Sequence, residues 1–467
     1  MLDYRIVNAK IADGAGEKPE TAVGIEGGRI ACLALDGQSL PPAKMTIDAG
    51  GALLVPGIID VHTHSDSNRS CAEKLLAQGV TSCVSGNCGL SPQTDFAAFR
   101  AHLEKHPYPI NQAEQIGHSS LRAACGINDF YAAATQPQLE QMRSLVRRAF
   151  EHGAAGLSFG LEYDPGAPDA EVQALAAEAV SAARAAGRAP LISIHARNVE
   201  RENNNSILEA VRLAETGARV IVSHLVYMWN GDSLKRTLDV LAGARDRGLD
   251  VWADSGMWTA YATTAGSAVF DEAEFTRKGY DFSRVRAGSG VYAGRFLTME
   301  QYREVRRDSP KDCFIYDPGS PSDIWRAFSL DDVMVSSDAA PSAAGQGHPQ
   351  NAATFPYFFR VLVKGGALRT DGKPEAAPER MSLREALRRT SLVPAQVLGL
   401  NKGRIAPGMD ADIAVFDWEA LREQADFPGT GDPNAPPVGV LHVFVNGALA
   451  IHAGARVPGA SAGRAFP

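Results

Sequence analysis

The sequence predicts an α/β protein: a (β/α)8 TIM-like barrel carrying a small β-sandwich formed from the N- and C-terminal segments. Two observations carry the barrel. Seven apolar, strand-like runs lie between residues 53 and 336, most of them separated by Ala-rich helical stretches, which is the pattern of βα units and a parallel sheet. Their spread suits an eight-stranded barrel, whose core usually takes about 250 residues before insertions. The third observation concerns the ends, where short alternating strands broken by glycine turns open the chain and return near its close.

In chain order, residues 4–9, 21–25 and 29–35 read as short strands, punctuated by turns such as Glu26-Gly27-Gly28. The barrel runs are 53–61, 80–84, 156–159, 190–194, 219–223, 249–253 and 332–336, with 170–186 a representative helix. The eighth strand is expected between Ala113 and Ile127, where no apolar run marks it. Residues 255–294 fall between consecutive barrel strands and form a candidate lid. Residues 405–417 and 440–445 restore the short-strand pattern, and 426–438, rich in Pro and Gly, reads as an extended connection. The expected division is therefore a sandwich of 1–55 and 404–467 around a barrel of 56–403.

A chain of 467 residues with 45% hydrophobic content can bury a large core and exceeds most single compact domains. The net charge of -8 disfavours nucleic acid or an anionic membrane as the main partner and favours a small molecule. No basic, apolar leader opens the chain and no apolar run approaches the roughly 20 residues of a membrane span, so a cytoplasmic protein is expected. Six cysteines make no dense disulfide framework, and each is a core residue or a ligand.

The strongest local signal is Pro56-Gly57-Ile58-Ile59-Asp60-Val61-His62-Thr63-His64, an apolar strand ending in two histidines spaced by one residue. On an extended strand that spacing points both imidazoles the same way. At the C-terminal rim of a barrel, where active sites are built, such a pair can chelate one metal ion. His195, His224 and Asp338 each close another apolar run, where a titratable residue is otherwise costly to bury. Any one alone reads as a satisfied core histidine or a helix-capping aspartate, but four strands ending this way at one rim point to a metal centre. Cys88, in Gly86-Asn87-Cys88-Gly89, adds a thiolate that would suit zinc. His102, His106, His152, His442 and His452 stand in helical, loop or sandwich context and read as structural.

These elements, together with the closing segment 408–415, resemble the amidohydrolase superfamily. More narrowly, Gly86-Asn87-Cys88-Gly89, Gly117-His118-Ser119-Ser120-Leu121-Arg122, Gly156-Leu157-Ser158-Phe159-Gly160-Leu161-Glu162-Tyr163 and the segment around His348-Pro349 resemble the N-acyl-D-amino-acid deacylases (D-aminoacylases). The resemblance implies one or two Zn2+ ions, with Cys88, His195 and His224 holding the tighter metal and bridging through the cysteine. It implies that His62, His64 and Asp338 form or border a second site, with Glu162 a further candidate ligand. The implied chemistry is hydrolysis of a small-molecule amide by a metal-activated water, with Asp338 as general base and then acid.

The sequence departs from the family's polar clamp for a substrate carboxylate. Val226 replaces an expected lysine, Gln350 an expected arginine, and Ser255-Gly256-Met257-Trp258-Thr259-Ala260-Tyr261 stands in place of a Tyr-Pro-Tyr stretch. Arg197, two residues beyond His195, and Arg295 are candidates for the missing charge, and Trp258 and Tyr261 for an apolar recognition surface. His348 is a further candidate substrate contact, and His118 a candidate oxyanion donor on family position alone. Two alternatives stay open: a cyclic amide hydrolase of the hydantoinase or dihydroorotase type, and a noncatalytic metal-binding barrel.

Overall fold

The computed structural model describes residues 1–197, 205–368 and 375–466. Eight parallel strands form the barrel, in the order Ile58–Asp60, Val80–Ser85, Asn111–Gly117, Gly156–Gly160, Leu191–His195, Arg219–Val222, Val251–Ser255 and Met334–Val335. The eighth returns to the first just beyond the strand ends: Asp338 N–H donates to the His62 carbonyl at 3.0 Å and His64 N–H to the Ala339 carbonyl at 2.7 Å. Helices cover the outside, among them Asp169–Ala185. Among the described residues, no helix is long and apolar enough to cross a membrane.

The third barrel strand, Asn111–Gly117, is the one the apolar pattern did not reveal, because it reads Asn-Gln-Ala-Glu-Gln-Ile-Gly yet is buried throughout. Several of its polar groups are held by internal hydrogen bonds. The Asn111 amide donates to the Thr81 carbonyl at 3.0 Å and to Asp412 at 2.9 Å, and Gln115 donates to Asn87 Oδ1 at 2.9 Å. A second correction concerns the run 53–61, which is two strands rather than one. Leu53–Pro56 pairs antiparallel with Ile413–Phe416, and the chain passes at Gly57 into the barrel strand Ile58–Asp60. A side chain at Gly57 would meet Thr81 Oγ1 at 2.2 Å, so only glycine fits this crossing.

Beside the barrel, a four-stranded sheet of residues 2–48 faces a seven-stranded sheet in which 10–17 and 53–56 join strands from 413 to 456. Strand alternation divides the second sheet between two cores. Leu54, Ile413, Val415 and Phe444 face Ile6, Val23 and Ile25 inside the sandwich. Leu53, Val55, Ala414, Phe416, Val443 and Val445 belong instead to the core continuous with the barrel.

The excursion between the seventh and eighth barrel strands runs beyond residue 294. Tyr261–Thr264, Arg286–Ala287 and Cys313–Tyr316 make a three-stranded antiparallel sheet with its own aromatic core, including Phe270, Phe275, Tyr302 and Phe314. Tyr163 and Tyr227 of the barrel rim pack against that core, which seats the insertion over the strand ends.

Candidate metal centre and active site

Each candidate ligand follows or ends a parallel strand, so all of them emerge at one rim of the barrel. Three have left-handed backbone: Cys88 at φ +51°, His224 at +34° and Asp338 at +53°. Such strain persists only where surrounding contacts over-determine it, and it concentrates at functional sites. At Cys88 the turn is held by Asn87, whose amide donates to the Val84 carbonyl at 3.0 Å and the Thr63 carbonyl at 3.3 Å. Gly160 lets the two loops touch, since a Cβ there would lie 2.0 Å from the Cys88 carbonyl oxygen.

The side chains converge. Cys88 Sγ lies 3.3 Å from His62 Nε2 and 3.4 Å from His224 Nε2. Asp338 Oδ1 lies 3.4 Å from His62 Nε2 and 3.3 Å from His64 Nε2. Two sets of donor atoms, His62–Cys88–His224 and His62–His64–Asp338, each fall within 4.8 Å of one another. His195 adjoins them, with Nδ1 3.0 Å from His224 Nε2, while its Nε2 lies 2.9 Å from Glu162 Oε2. The Glu162 carboxylate thus meets the far side of the His195 ring and Lys278 Nζ, at 2.5 Å, rather than the converging donors.

Charge at the centre agrees with this packing. Burial pushes the Cys88 thiol up, but His62, His224 and His195 outweigh it and hold the thiol well below its ordinary value. Burial likewise works against the His64 imidazolium, yet the hydrogen bond with Asp338 and the Cys88 sulfur raise it to about 10. Burial would raise the Asp338 carboxyl, whereas His64, His62 and His224 hold it below the usual carboxylate value. A buried group of imidazoles, a thiolate and a carboxylate is costly without a shared cation, and it is the donor set that suits zinc.

Sequence reasoning missed Asp254, which is fully buried at the end of the seventh barrel strand. Its Oδ1 accepts from His224 N–H at 2.9 Å and from the Ser336 hydroxyl at 2.5 Å, and its Oδ2 lies 3.4 Å from His62 Nδ1. Carboxylates behind ligating histidines orient the rings, and the strand-end rule that singled out Asp338 applies equally to Val251-Trp252-Ala253-Asp254. Tyr227 and Lys278 were missed as well, because nothing local in the sequence marks them.

Two cavities meet at His224 and Asp338. The larger, about 450 Å3, extends past His64, Cys88 and Gln350 to Ser289, Lys311 and Ser342. The smaller, about 60 Å3, lies under Tyr227, Tyr261 and Lys278. Tyr261 lines the smaller cavity and His348 the larger. Burial holds His348 down at about 3, so its imidazole is neutral.

Four other expectations are corrected. Arg197 is not a free cation, because its guanidinium pairs with both oxygens of Glu209, at 3.2 and 3.0 Å, and with the Pro165 carbonyl at 3.1 Å. Arg295 is exposed and lines neither cavity. His118 is buried away from both, 2.8 Å from Glu171 in a network with Arg122 and Asp164. Trp258 is packing rather than recognition surface, with its ring 4.6 Å from Tyr357 and 5.5 Å from Phe427.

Fold and site together define a metal-dependent barrel hydrolase. The amidohydrolase family matches residues 45–279 and 368–451, and the chain belongs to that family. It is 31% identical to the N-acyl-D-glutamate deacylase of Alcaligenes xylosoxydans xylosoxydans over 96% of this chain and 93% of that one. It is 28% identical to the D-aminoacylase of the same organism, over 96% and 94% of the two chains. Among solved structures, the N-acyl-D-glutamate deacylase of Bordetella bronchiseptica, complexed with zinc and a phosphonate mimic of the tetrahedral intermediate, superposes with a TM-score of 0.82. That match has 26% identity and covers 100% of this chain and 99% of the other.

Proposed function

We propose that this protein is a zinc-dependent deacylase that hydrolyses the amide bond of N-acyl amino acids. The observation that carries this reading is the convergence of His62, His64, Cys88, His195 and His224 with Asp338 where the two cavities meet. His62, His64, Cys88, His195, His224 and Asp338 would hold one or two Zn2+ ions, and Glu162 would act behind His195. When bound, zinc supplies Lewis-acid polarisation of the amide carbonyl and makes water a nucleophile near neutral pH.

The protein's own groups do the rest. Asp338 is ionised at neutral pH, and His62 and His64 both approach Oδ1, which leaves Oδ2 the freer oxygen. That oxygen takes a proton from the attacking water and delivers it to the departing nitrogen. The insertion, through Tyr261, Ala262 and Thr263, walls the cavities and limits bulk water. Tyr261 and His348 are the proposed substrate contacts. A sandwich of 1–55 and 404–467 flanking a barrel of 56–403 is part of the reading, supported by the pairing of 53–56 with 413–416. So is a cytoplasmic setting, supported by six unpaired cysteines.

The test is a hydrolysis screen of zinc-loaded protein against paired D- and L-N-acyl amino acids and cyclic amides, with Asp338→Asn as control. Release of free amino acid by the wild type and none by the control is expected. Turnover of cyclic amides alone, or undiminished turnover in the control, overturns the reading.

A further inference from the structure

A continuous series of buried contacts joins the insertion to the metal centre. Lys278 follows the short helix Glu272–Arg277, and its ammonium lies 2.5 Å from Glu162 Oε1. The other oxygen of Glu162 lies 2.9 Å from His195 Nε2, and His195 Nδ1 lies 3.0 Å from His224 Nε2. Glu162, His195 and Lys278 have side-chain exposures of only 8%, 6% and 12%. The Lys278 ammonium is also 5.5 Å from the centre of the Tyr280 ring.

Two physical consequences follow. With a carboxylate facing Nε2, the His195 proton belongs on that nitrogen, and the Nδ1 lone pair is left for the centre. A buried carboxylate, however, is stable only when its charge is compensated. Burial pushes the Glu162 carboxyl up, and Lys278 and His195 more than offset it. Removing the ammonium takes away one of the two side-chain contacts described for the Glu162 carboxylate, and with it the restraint that Glu162 places on the His195 ring facing the metal donors.

We propose that Lys278 is a positioning residue: by docking on Glu162, the insertion fixes the tautomer and orientation of His195 and so sets how tightly the centre holds its metal. The inference rests on the zinc reading above. It adds that the insertion, besides covering the site, takes part in metal retention from outside the ligand set.

The experiment compares full-length wild type with Lys278→Met, Lys278→Arg and Glu162→Gln, measuring zinc release to a chromogenic chelator and thermal unfolding with and without zinc. Lys278→Met should weaken zinc affinity by roughly 10- to 100-fold, the range for groups that orient metal-ligating histidines. Lys278→Arg should stay near wild type. Glu162→Gln should match Lys278→Met, and combining them should add little, because one contact is broken in both. If Lys278→Met does not fold, the arginine and glutamine variants still decide: a tenfold loss in Glu162→Gln with retention in Lys278→Arg supports the proposal. Unchanged zinc release in Lys278→Met or Glu162→Gln, with any loss of stability equal in the presence and absence of zinc, overturns it and leaves the zinc reading intact. A wild type that holds no zinc overturns both.

Discussion

The side-chain amide of Gln350 donates to the main-chain carbonyl of Asp338 at 2.6 Å and reaches Asp338 Oδ2 at 3.5 Å. Its own oxygen accepts from the Tyr227 hydroxyl at 3.1 Å. Tyr227 thus holds Gln350, and Gln350 holds the left-handed backbone that aims the Asp338 carboxylate. Gln350→Ala should therefore lower kcat by about 10- to 100-fold with little change in KM, since it misplaces the proton-transfer group without removing it. Tyr227→Phe should give a smaller loss of the same kind. Steady-state kinetics on a substrate found in the screen checks both, and a rise in KM at constant kcat would assign Gln350 to substrate binding instead.

Cys88 belongs to one donor set, 3.3 Å from His62 and 3.4 Å from His224, and adjoins the other through His62, which the two sets share, so its removal should affect both. Cys88→Ala should lower zinc content to a minor fraction while the fold persists, because a small apolar side chain leaves no unpaired buried charge at that position. Metal analysis after gel filtration, with circular dichroism as the control for folding, tests this. Full zinc occupancy in Cys88→Ala would remove the cysteine from the ligand set.

Gly160→Ala would place a Cβ 2.0 Å from the Cys88 carbonyl oxygen. One of the two backbones must move, and overpacking of this kind costs about 1–3 kcal/mol. Denaturant titration should show that loss, and zinc content should fall with it because the displaced loop carries Cys88. Normal zinc content in a destabilised Gly160→Ala protein would show that the Cys88 loop adjusts independently.

The buried Glu171 network predicts a pH dependence. Burial would raise the Glu171 carboxyl, but the His118 hydrogen bond and Arg122 bring it from 4.5 down to about 2. A carboxyl lowered in the folded state contributes stability that is present above its unfolded value and lost as pH falls through the folded one, here from about 4.5 toward about 2. Wild type should therefore lose stability on acidification through the upper part of this window more steeply than Glu171→Gln. Parallel unfolding-temperature profiles for the two proteins would rule out the contribution.

The barrel was legible in the sequence because most of its strands are apolar runs, and the metal centre because a titratable residue at the end of an apolar strand stands out against its burial cost. His62, His64, His195, His224 and Asp338 stand out in that way as candidate ligands, and the glycines around Cys88 mark a tight turn. The polar strand Asn111–Gly117 escaped because Asn111 and Gln115 are held by Thr81, Asn87 and Asp412, partners that local sequence does not reveal. For the same reason Arg197 and His118 read as free functional groups until Glu209 and Glu171 were found beside them. Periodicity and residue type report how a segment relates to the core, but the pairing of charges and hydrogen bonds depends on residues far apart in the chain. Only folding could bring Lys278 to Glu162, 116 positions away, or Gln350 to Tyr227, 123 positions away.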